Sequence, residues 1–248
     1  MVKAKKALGQ NFLVDSNVVR DLVEAAGVWG RDTVLEVGAG TGAVTQELAK
    51  RAQKVIAVEF DRDLIPTLKE NLKEFKNVEI LNEDILQLNP LLYSPVTKIV
   101  GSIPYHITSP LIHKILHLEK RPESITFVVQ KEVAEKICAE PPKGTYLSNF
   151  VKNFGNARIG RAIKPHAFAP PPKVGSTILH IDLREPTVKE AKKFEKFLHE
   201  GFSHPRKMIK NRFPLKTLEE VGIDPKARPG NLSFHEWKSI YQKIKARG

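Results

Sequence analysis

The sequence predicts an α/β fold with a doubly wound, mostly parallel sheet, followed by a small all-helical C-terminal domain. From residue 33 onward, short β-branched runs alternate with segments of helical periodicity, which is typical of a parallel sheet covered by helices. A glycine-rich turn follows the first of these runs, and after residue 184 only helical patterns remain. We therefore expect a ligand-binding catalytic domain over residues 1–184 and a helical domain over residues 185–248.

Composition narrows the class of protein. With 248 residues, 41% of them hydrophobic, the chain can bury one α/β core and a small appendage. Lys and Arg number 40 against 28 Asp and Glu, a net charge of +12 that favours nucleic acid as partner over a charged surface that serves only solubility. Cys138 is the only cysteine, so no internal disulfide or thiolate cluster is possible. Without a signal-peptide or membrane-spanning pattern, we expect a cytoplasmic protein.

The first 14 residues form a basic arm. A solvated tail is the ordinary interpretation of such a start. Residues 9–13, Gly-Gln-Asn-Phe-Leu, are unusual for a tail, because their amides and apolar pair could lie over a bound cofactor. A helix capped by Asp15 or Ser16 follows. Three lysines of the arm are candidate RNA contacts: Lys3, Lys5 and Lys6.

The glycine turn predicts a cofactor site. A β-branched run ends at Val37 and a helical pattern begins at Ala43, so the glycines lie in a strand-to-helix turn and permit close approach of a ligand. The spacing of Gly38, Gly40 and Ala43 satisfies the dinucleotide pattern. The acid Glu36, however, disfavours a pyrophosphate and suits an ammonium group, as in S-adenosylmethionine. A tight turn without a ligand is the ordinary alternative.

Acids after the next two predicted strands extend this site. The second strand ends in Glu59, where a doubly wound sheet places the carboxylate that accepts hydrogen bonds from ribose hydroxyls. Asp61 is the better helix cap. After the third strand, residues 78–81, Asp84 is placed to accept from an adenine amino group and Ile85 to cover the ring. A turn role for Asp84 is the alternative.

Polar and aromatic groups after the fourth strand are candidates for the chemistry. Ser102 lies at the carboxyl end of that strand, where open α/β sheets bind ligands. Because Pro104 has no N–H, the carbonyl of Ile103 is free to accept a hydrogen bond. Tyr105 can stack on a base. A later proline-rich loop could hold Phe168 as a second aromatic surface, although a plain linker is the alternative.

Three histidines resemble a metal-ligand set, namely His106, His113 and His117. No carboxylate or cysteine falls at ligand spacing beside them, and the last two fit one ordinary helix face, so we predict no metal site.

The helical C-terminal part contains a basic cluster. Helices are predicted over 188–202, 206–213, 215–221 and 234–245. The second of these segments is suited to phosphate contacts, although a solvated helix face would have the same pattern. Its basic residues are Arg206, Lys207, Lys210 and Arg212.

Several motifs match in order those of a known family. They are Gly-Gln-Asn-Phe-Leu at 9–13, Glu-Val-Gly-Ala-Gly-Thr-Gly at 36–42, Glu59, Glu-Asp-Ile at 83–85, Gly-Ser-Ile-Pro-Tyr at 101–105, Gln-Lys-Glu-Val-Ala at 130–134, Phe-x-Pro-x-Pro-Lys-Val-x-Ser at 168–176 and Arg-Lys-Met-Ile-Lys-Asn at 206–211. Nearly end to end, the chain resembles the rRNA adenine dimethyltransferases, most closely those of the bacterial small subunit.

The resemblance implies an S-adenosylmethionine-dependent enzyme that dimethylates two adjacent adenosines in the 3′-terminal hairpin of small-subunit rRNA, late in subunit assembly. It implies a Rossmann-like methyltransferase sheet, and we expect a monomer. It places cofactor contacts at Asn11, Leu13, Glu36, Gly38, Gly40, Glu59, Asp84, Ile85 and Ser102. Ser102, Ile103, Pro104, Tyr105 and Phe168 would surround the target base. One departure is Ser102 itself, since the family usually has Asn, or Asp in relatives, at this position.

Two other functions stay open from the sequence. One is methylation of large-subunit rRNA with macrolide resistance, because those relatives share the catalytic motifs. The other is an rRNA-binding assembly factor with little catalysis, which Ser102 makes credible.

Overall fold

The computed structural model describes residues 4–5, 8–88 and 95–246. The chain divides into two compact units, one of Met1–Ala134 and Arg158–Leu183, the other of Glu135–Ala157 and Arg184–Gly248. The expected boundary after residue 184 therefore needs correction, because residues 135–157 come before it in the chain but belong to the second unit.

The elements alternate as the sequence predicts. In chain order they are β1 (Phe12–Leu13), α1 (Ser16–Ala25), β2 (Thr33–Val37), α2 (Ala43–Ala49), β3 (Lys54–Val58), α3 (Ile65–Leu72), β4 (Val78–Leu81), β5 (Lys98–Ser102), α4 (Thr108–Leu116), β6 (Ser124–Gln130), α5 (Lys131–Ile137), α6 (Tyr146–Phe154), β7 (Gly155–Ile163), β8 (Phe168–Ala169), β9 (Ser176–Leu183), α7 (Ala191–Phe202), α8 (Leu215–Glu220) and α9 (Phe234–Lys245).

The main sheet has the strand order β4-β3-β2-β5-β6-β9-β7. Strands β2 to β6 are parallel to their neighbours, and β9 runs antiparallel to β6. In register, Val37 at the end of β2 lies between Val58 of β3 and Gly101 of β5. The carboxyl ends of these strands thus meet at one edge, and the residues that follow them share one region. This confirms the predicted α/β fold.

A second, two-stranded sheet closes over that region. It pairs β1 with β8, with Phe12 opposite Ala169 and Leu13 opposite Phe168. Leu13 and Phe168 are both buried and belong to the core cluster that includes Leu22 of α1. The N-terminal segment before α1 is therefore part of the folded core at this point.

The second unit has an aromatic core. Trp237 of α9 is fully buried and packs against Phe197 and Phe202 of α7, with ring centroids 5.9 and 4.9 Å away. Gly201 is required beside it, because a Cβ there would lie 2.4 Å from the Trp237 ring. In this unit the residues expected as the helix 206–213 form only a 3₁₀ turn, Ile209–Asn211. Prolines at 205 and 214 bracket the segment and restrict the residues before them to extended backbone.

The sequence prediction missed α6 and β7. Helix α6 begins with a capping box, in which the Thr145 hydroxyl accepts from the Ser148 amide and the Ser148 hydroxyl accepts from the Thr145 amide. Such a Thr-x-x-Ser pattern can be recognised in a sequence as the start of a helix. Within the described part of the chain, no helix is both long and apolar enough to cross a membrane.

Candidate active site

A cavity of about 320 Å³ lies at the carboxyl edge of the main sheet, within the first unit. It brings together residues from the N-terminal segment, the glycine turn, and the loops after β3, β4 and β5. Of the expected cofactor and catalytic residues, those that line it are Asn11, Leu13, Gly38, Gly40, Glu59, Asp84, Ile85, Ser102, Ile103, Pro104, Tyr105 and Phe168.

The backbone of the glycine turn lines one side of the cavity. Gly38 and Gly40 have φ angles of 75° and 58°, in the left-handed region that favours glycine. A Cβ on Gly38 would lie 3.3 Å from the Ser102 carbonyl oxygen, and one on Gly40 would lie 3.3 Å from the Phe12 ring. Side chains here would fill the space between the turn and its neighbours, so the sequence keeps backbone exposed to the cavity.

Glu59 is a buried carboxylate at the end of β3, with 7% of its surface exposed. One of its oxygens accepts from the Gly40 amide at 2.8 Å and the other from the Asp61 amide at 2.7 Å. Each oxygen has a second lone pair, which leaves acceptors for hydroxyl groups in the cavity. Burial raises the pKa of the Glu59 carboxyl, against the opposing effect of these N–H donors.

Glu36 does not line the cavity, which corrects the expected direct contact between its carboxylate and a cofactor ammonium group. It lies within β2 and is 1% exposed, and its Oε2 has no hydrogen-bond partner among the described residues. Burial raises the pKa of the Glu36 carboxyl to about 8, and the nearby charge of Glu59 acts in the same direction. The side chain therefore acts as a buried acid behind the glycine turn. The sequence pattern gave its proximity to the turn but not the side to which it points.

The loop after β4 forms another wall. Asp84 Oδ1 accepts from the Leu86 amide at 2.9 Å, so Asp84 does hold a turn, and it also lines the cavity. Lys114 of α4 donates to the Leu86 carbonyl at 2.6 Å and fixes the loop from the other side. Ile85 is buried, with one face on the cavity.

Phe60, which the sequence analysis did not single out, also lines the cavity although it is 60% exposed. The feature of the sequence that could have identified Phe60 is its position directly after Glu59, the acid at the end of β3.

Tyr105, after β5, and Phe168, in β8, both line the cavity. The Tyr105 hydroxyl is 2.7 Å from Ser176 Oγ, which fixes the ring, and burial raises the pKa of the phenol. Phe168 is 4% exposed and is held by the pairing of β8 with Leu13. Ser102 is half-buried at the end of β5. The cavity is thus lined both by this polar strand end and by two aromatic rings.

The expected RNA-binding lysines of the N-terminal arm have different outcomes. Lys3 and Lys6 lie outside the described residues. Lys5 is described, and its ammonium group pairs with Asp61 and Asp63, at 2.6 Å in each case. These ion pairs raise the pKa of Lys5, with the hydrogen bond to Asp61 as the main cause. Lys5 thus has ion-pair partners within the protein, and its RNA contact stays a prediction.

The basic residues after α7 are exposed. The buried side chain of Ile209 and the backbone hydrogen bonds from the Ile209 and Lys210 amides to the Ala227 and Pro225 carbonyls hold this segment in the second unit. Arg212 hydrogen-bonds to His204. The exposed set is Arg206, Lys207, Lys210 and Arg212. They therefore present their charge from an irregular segment, not from a helix face.

The side chains that line the cavity fit S-adenosylmethionine better than a dinucleotide. Glu59, Glu83 and Asp84 line it, whereas no Lys or Arg does so among the residues that the structure describes. A pyrophosphate would meet carboxylates without a cationic partner, at a cost in this half-enclosed site. A nucleoside with hydroxyl and amino donors meets acceptors instead. Among the residues that the structure describes, no three His, Cys, Asp or Glu side chains are grouped as the ligands of a metal ion would be.

Comparison with known proteins agrees with this geometry. A family model described as ribosomal RNA adenine dimethylase matches residues 1–246. The chain is 39% identical over 257 residues to the ribosomal RNA small subunit methyltransferase A of Clostridium botulinum (strain Langeland), covering 96% of this chain and 93% of the relative. The protein of the same name from Caldanaerobacter subterraneus subsp. tengcongensis is also 39% identical, over 259 residues and 96% of each chain.

Solved structures show the same architecture. The 23S rRNA methyltransferase ErmE is similar with a TM-score of 0.80 and 27% identity, covering 95% of this chain and all of ErmE. A dimethyladenosine transferase from Plasmodium falciparum has a TM-score of 0.85 at 24% identity, covering 96% and 98% of the two chains. At 24% identity, the similarity to the Plasmodium falciparum structure is a similarity of fold alone.

Proposed function

This chain belongs to the ribosomal RNA adenine dimethylase family, whose members depend on S-adenosylmethionine, and on that premise we propose that it dimethylates two adjacent adenosines in the 3′-terminal hairpin of small-subunit rRNA. One observation carries the proposal. One cavity is lined by the acceptors Glu59 and Asp84, by the aromatic residues Tyr105 and Phe168, and by Ser102. The small-subunit methyltransferases that are 39% identical along the chain support the choice of rRNA.

The cofactor end of the cavity selects a nucleoside. The free lone pairs of Glu59 would accept from ribose hydroxyls and Asp84 from an adenine amino group, while Ile85 and Phe60 cover the ring. Gly38 would approach the methionine part, and Asn11 and Leu13 would close the cavity from the N-terminal side. S-adenosylmethionine, when bound, supplies the methyl group on a sulfonium centre, so the protein needs no covalent nucleophile.

The other end holds the target adenosine. The amine lone pair is conjugated with the purine ring, so the site must orient the amino group. Ser102 Oγ and the Ile103 carbonyl would accept the amine hydrogens and direct the lone pair at the methyl carbon. Holding both groups in line at near-attack distance can lower the barrier by about 7–11 kcal/mol.

The adenosine has to leave its stack to enter this cavity. Unstacking and unpairing cost a few kcal/mol. Stacking on an aromatic side chain is worth about 1–3 kcal/mol per base, so Tyr105 and Phe168 can offset much of that cost. Pro104 keeps the backbone between Ser102 and Tyr105 in a fixed shape, because its ring fixes φ.

The second unit would hold the rRNA. It contains 19 Lys and Arg against 10 Asp and Glu, so it carries most of the net positive charge of the chain. The exposed Arg206, Lys207, Lys210 and Arg212 would contact phosphates. The enzyme would act as a monomer in the cytoplasm, on a small subunit late in its assembly.

Transfer of labelled methyl groups tests this proposal. We expect isolated, undermethylated small-subunit particles to accept label at two adjacent adenosines and large-subunit RNA to accept none. Label in large-subunit RNA instead would favour the macrolide-resistance activity, for which the likeness to ErmE is the relevant observation. Tight binding of particles without transfer would favour an assembly factor, for which Ser102 in place of the usual Asn is the relevant observation.

A further inference from the structure

The N-terminal segment, residues 8–13, forms a continuous wall of the cofactor cavity. All six of its residues line the cavity. At its C-terminal end the segment is fixed by strand pairing, since Leu13 lies opposite Phe168 and both side chains are buried. How its other end is held decides whether this wall stays in place.

The other end is tied to Asp61 through side chains. Asp61 Oδ2 accepts from Gln10 Nε2 at 2.8 Å, and Asp61 Oδ1 accepts from Lys5 Nζ at 2.6 Å. The Lys5 amide in turn donates to Gln10 Oε1 at 2.7 Å. The side-chain amide of Gln10 is therefore held at its nitrogen by Asp61 and at its oxygen by the Lys5 backbone, and the Lys5 ammonium group is itself bound to Asp61.

Asp61 is itself connected to the ligand-binding carboxylate. Its backbone amide donates to Glu59 Oε1, and Glu59 Oε2 accepts from the Gly40 amide. A chain of hydrogen bonds thus runs from the glycine turn through Glu59 to Asp61 and on to Gln10. Asp61 is 5% exposed, yet it does not line the cavity. Any effect of its side chain on a ligand must pass through the groups that it holds.

We propose that Asp61 is a positioning residue whose carboxylate anchors residues 8–13 across the cavity, so that closure of the cofactor site depends on it. The segment is then fixed at one end by Asp61 and at the other by Phe168, and the same closure sets the cofactor wall and the aromatic border of the target-base site. This inference rests on the assignment of the cavity to S-adenosylmethionine.

The test is Asp61→Asn in the full chain, with S-adenosylhomocysteine binding measured by calorimetry. Asn retains the size and the capping ability of Asp61 at the 3₁₀ turn that follows it. Asn lacks the negative charge that pairs with Lys5. Its side-chain amide also places an N–H donor where one oxygen of Asp61 accepts a hydrogen bond. We expect S-adenosylhomocysteine to bind at least about tenfold more weakly, since hydrogen bonds to charged groups are among the stronger ones. The KM for S-adenosylmethionine should rise by a similar factor, with kcat at saturating cofactor changed much less.

Asp63→Asn is the matched control. Asp63 accepts from the same Lys5 ammonium at 2.6 Å, but it is largely exposed and does not hold Gln10. Loss of its charge should leave S-adenosylhomocysteine affinity within about twofold of the wild type, because exposed ion pairs contribute little.

Gln10→Ala removes the same tie from the side of the segment and answers the question even if Asp61→Asn fails to fold. Combined with Asp61→Asn, its effect on affinity should not add, because both changes break one interaction. Additive effects would mean that Gln10 binds the ligand independently of Asp61, against the proposal.

Hydrogen exchange supplies a readout without catalysis. Amides 8–11 should exchange faster in Asp61→Asn, and S-adenosylhomocysteine should slow them in the wild type by linkage. Wild-type affinity and unchanged exchange in a folded Asp61→Asn variant would overturn the anchor. A wild-type protein that binds no S-adenosylhomocysteine would instead overturn the cofactor assignment on which the anchor rests.

Discussion

Ser102 stands at the position where the resemblance in sequence leads us to expect Asn. It ends β5 on the cavity, and its carbonyl oxygen faces the glycine turn. We expect Ser102→Asn to transfer methyl groups at an equal or higher rate, because Asn restores a carbonyl acceptor while the Ile-Pro-Tyr backbone that follows is kept. Ser102→Ala should lower the rate by the worth of one hydrogen bond, about 0.5–1.5 kcal/mol.

Single-turnover methylation of saturating RNA measures this step. Cofactor and RNA affinities are measured in parallel, so that the rate at saturating ligands reports the transfer step alone. If Ser102→Asn abolishes transfer while both ligands still bind, the loop has a shape of its own and Ser102 does not take the family role.

Glu36 makes stability depend on pH. The unfolded chain releases this proton near the ordinary pKa of 4.5, whereas the folded protein holds it up to about 8. Between these values the unfolded state binds fewer protons, so the contribution of Glu36 to the free energy of unfolding falls as pH rises and levels off above 8.

Glu36→Gln removes this titration. Relative to the wild type, the variant should gain stability between pH 5 and 8, by on the order of a few kcal/mol. Urea unfolding of both proteins at pH 5, 6.5 and 8 measures the difference. A difference that stays constant over this range would show that Glu36 is ionised in the folded protein.

At the scale of elements, the close approach of β2 and β5 depends on Gly101. A Cβ at this position would lie 2.3 Å from the Val37 carbonyl oxygen, which is backbone and has no room to move. Gly101→Ala should therefore destabilise the protein by at least about 1–3 kcal/mol. It should also weaken S-adenosylhomocysteine binding, because Val37 leads directly into the glycine turn.

Gly30→Ala is the matched control for Gly101→Ala. A Cβ on Gly30 meets no atom within 4 Å, so its effect should stay within about 0.5 kcal/mol. Denaturant unfolding compares the two variants. Equal stabilities would mean that β2 and β5 do not lie as close as described.

At the scale of the whole molecule, positive charge is concentrated in the second unit. The triple variant Arg206→Ala, Lys207→Ala, Lys210→Ala should bind rRNA more weakly and with a flatter salt dependence. Each lost phosphate contact removes about 0.7–0.9 from the slope of log affinity against log salt concentration. Cofactor affinity should not change.

A charge-matched control separates contact from net charge. The triple variant Lys189→Ala, Lys192→Ala, Lys196→Ala removes three exposed lysines of the same unit. It should keep nearly the wild-type salt slope. Equal slopes in the two triple variants would make residues 206–210 part of a general positive field and not a contact surface.

The sequence by itself determined the α/β fold, the strand-end positions of Glu59, Asp84 and Ser102, and the family. These follow from local patterns, since β-branched runs, glycines and strand-end acids act at fixed spacing along the chain. The prediction of a helix over 206–213 was wrong, and the reason is also local, because each flanking proline restricts the residue before it to extended backbone.

Only the tertiary structure decided which way several side chains point and which distant residues meet. Glu36 is next to the glycine turn in sequence but is buried behind it, and Lys5 of the basic arm is bound to Asp61. Residues 135–157 join the second unit although they precede strands of the first. These outcomes depend on contacts between segments far apart in the chain, whose free energies no local pattern contains.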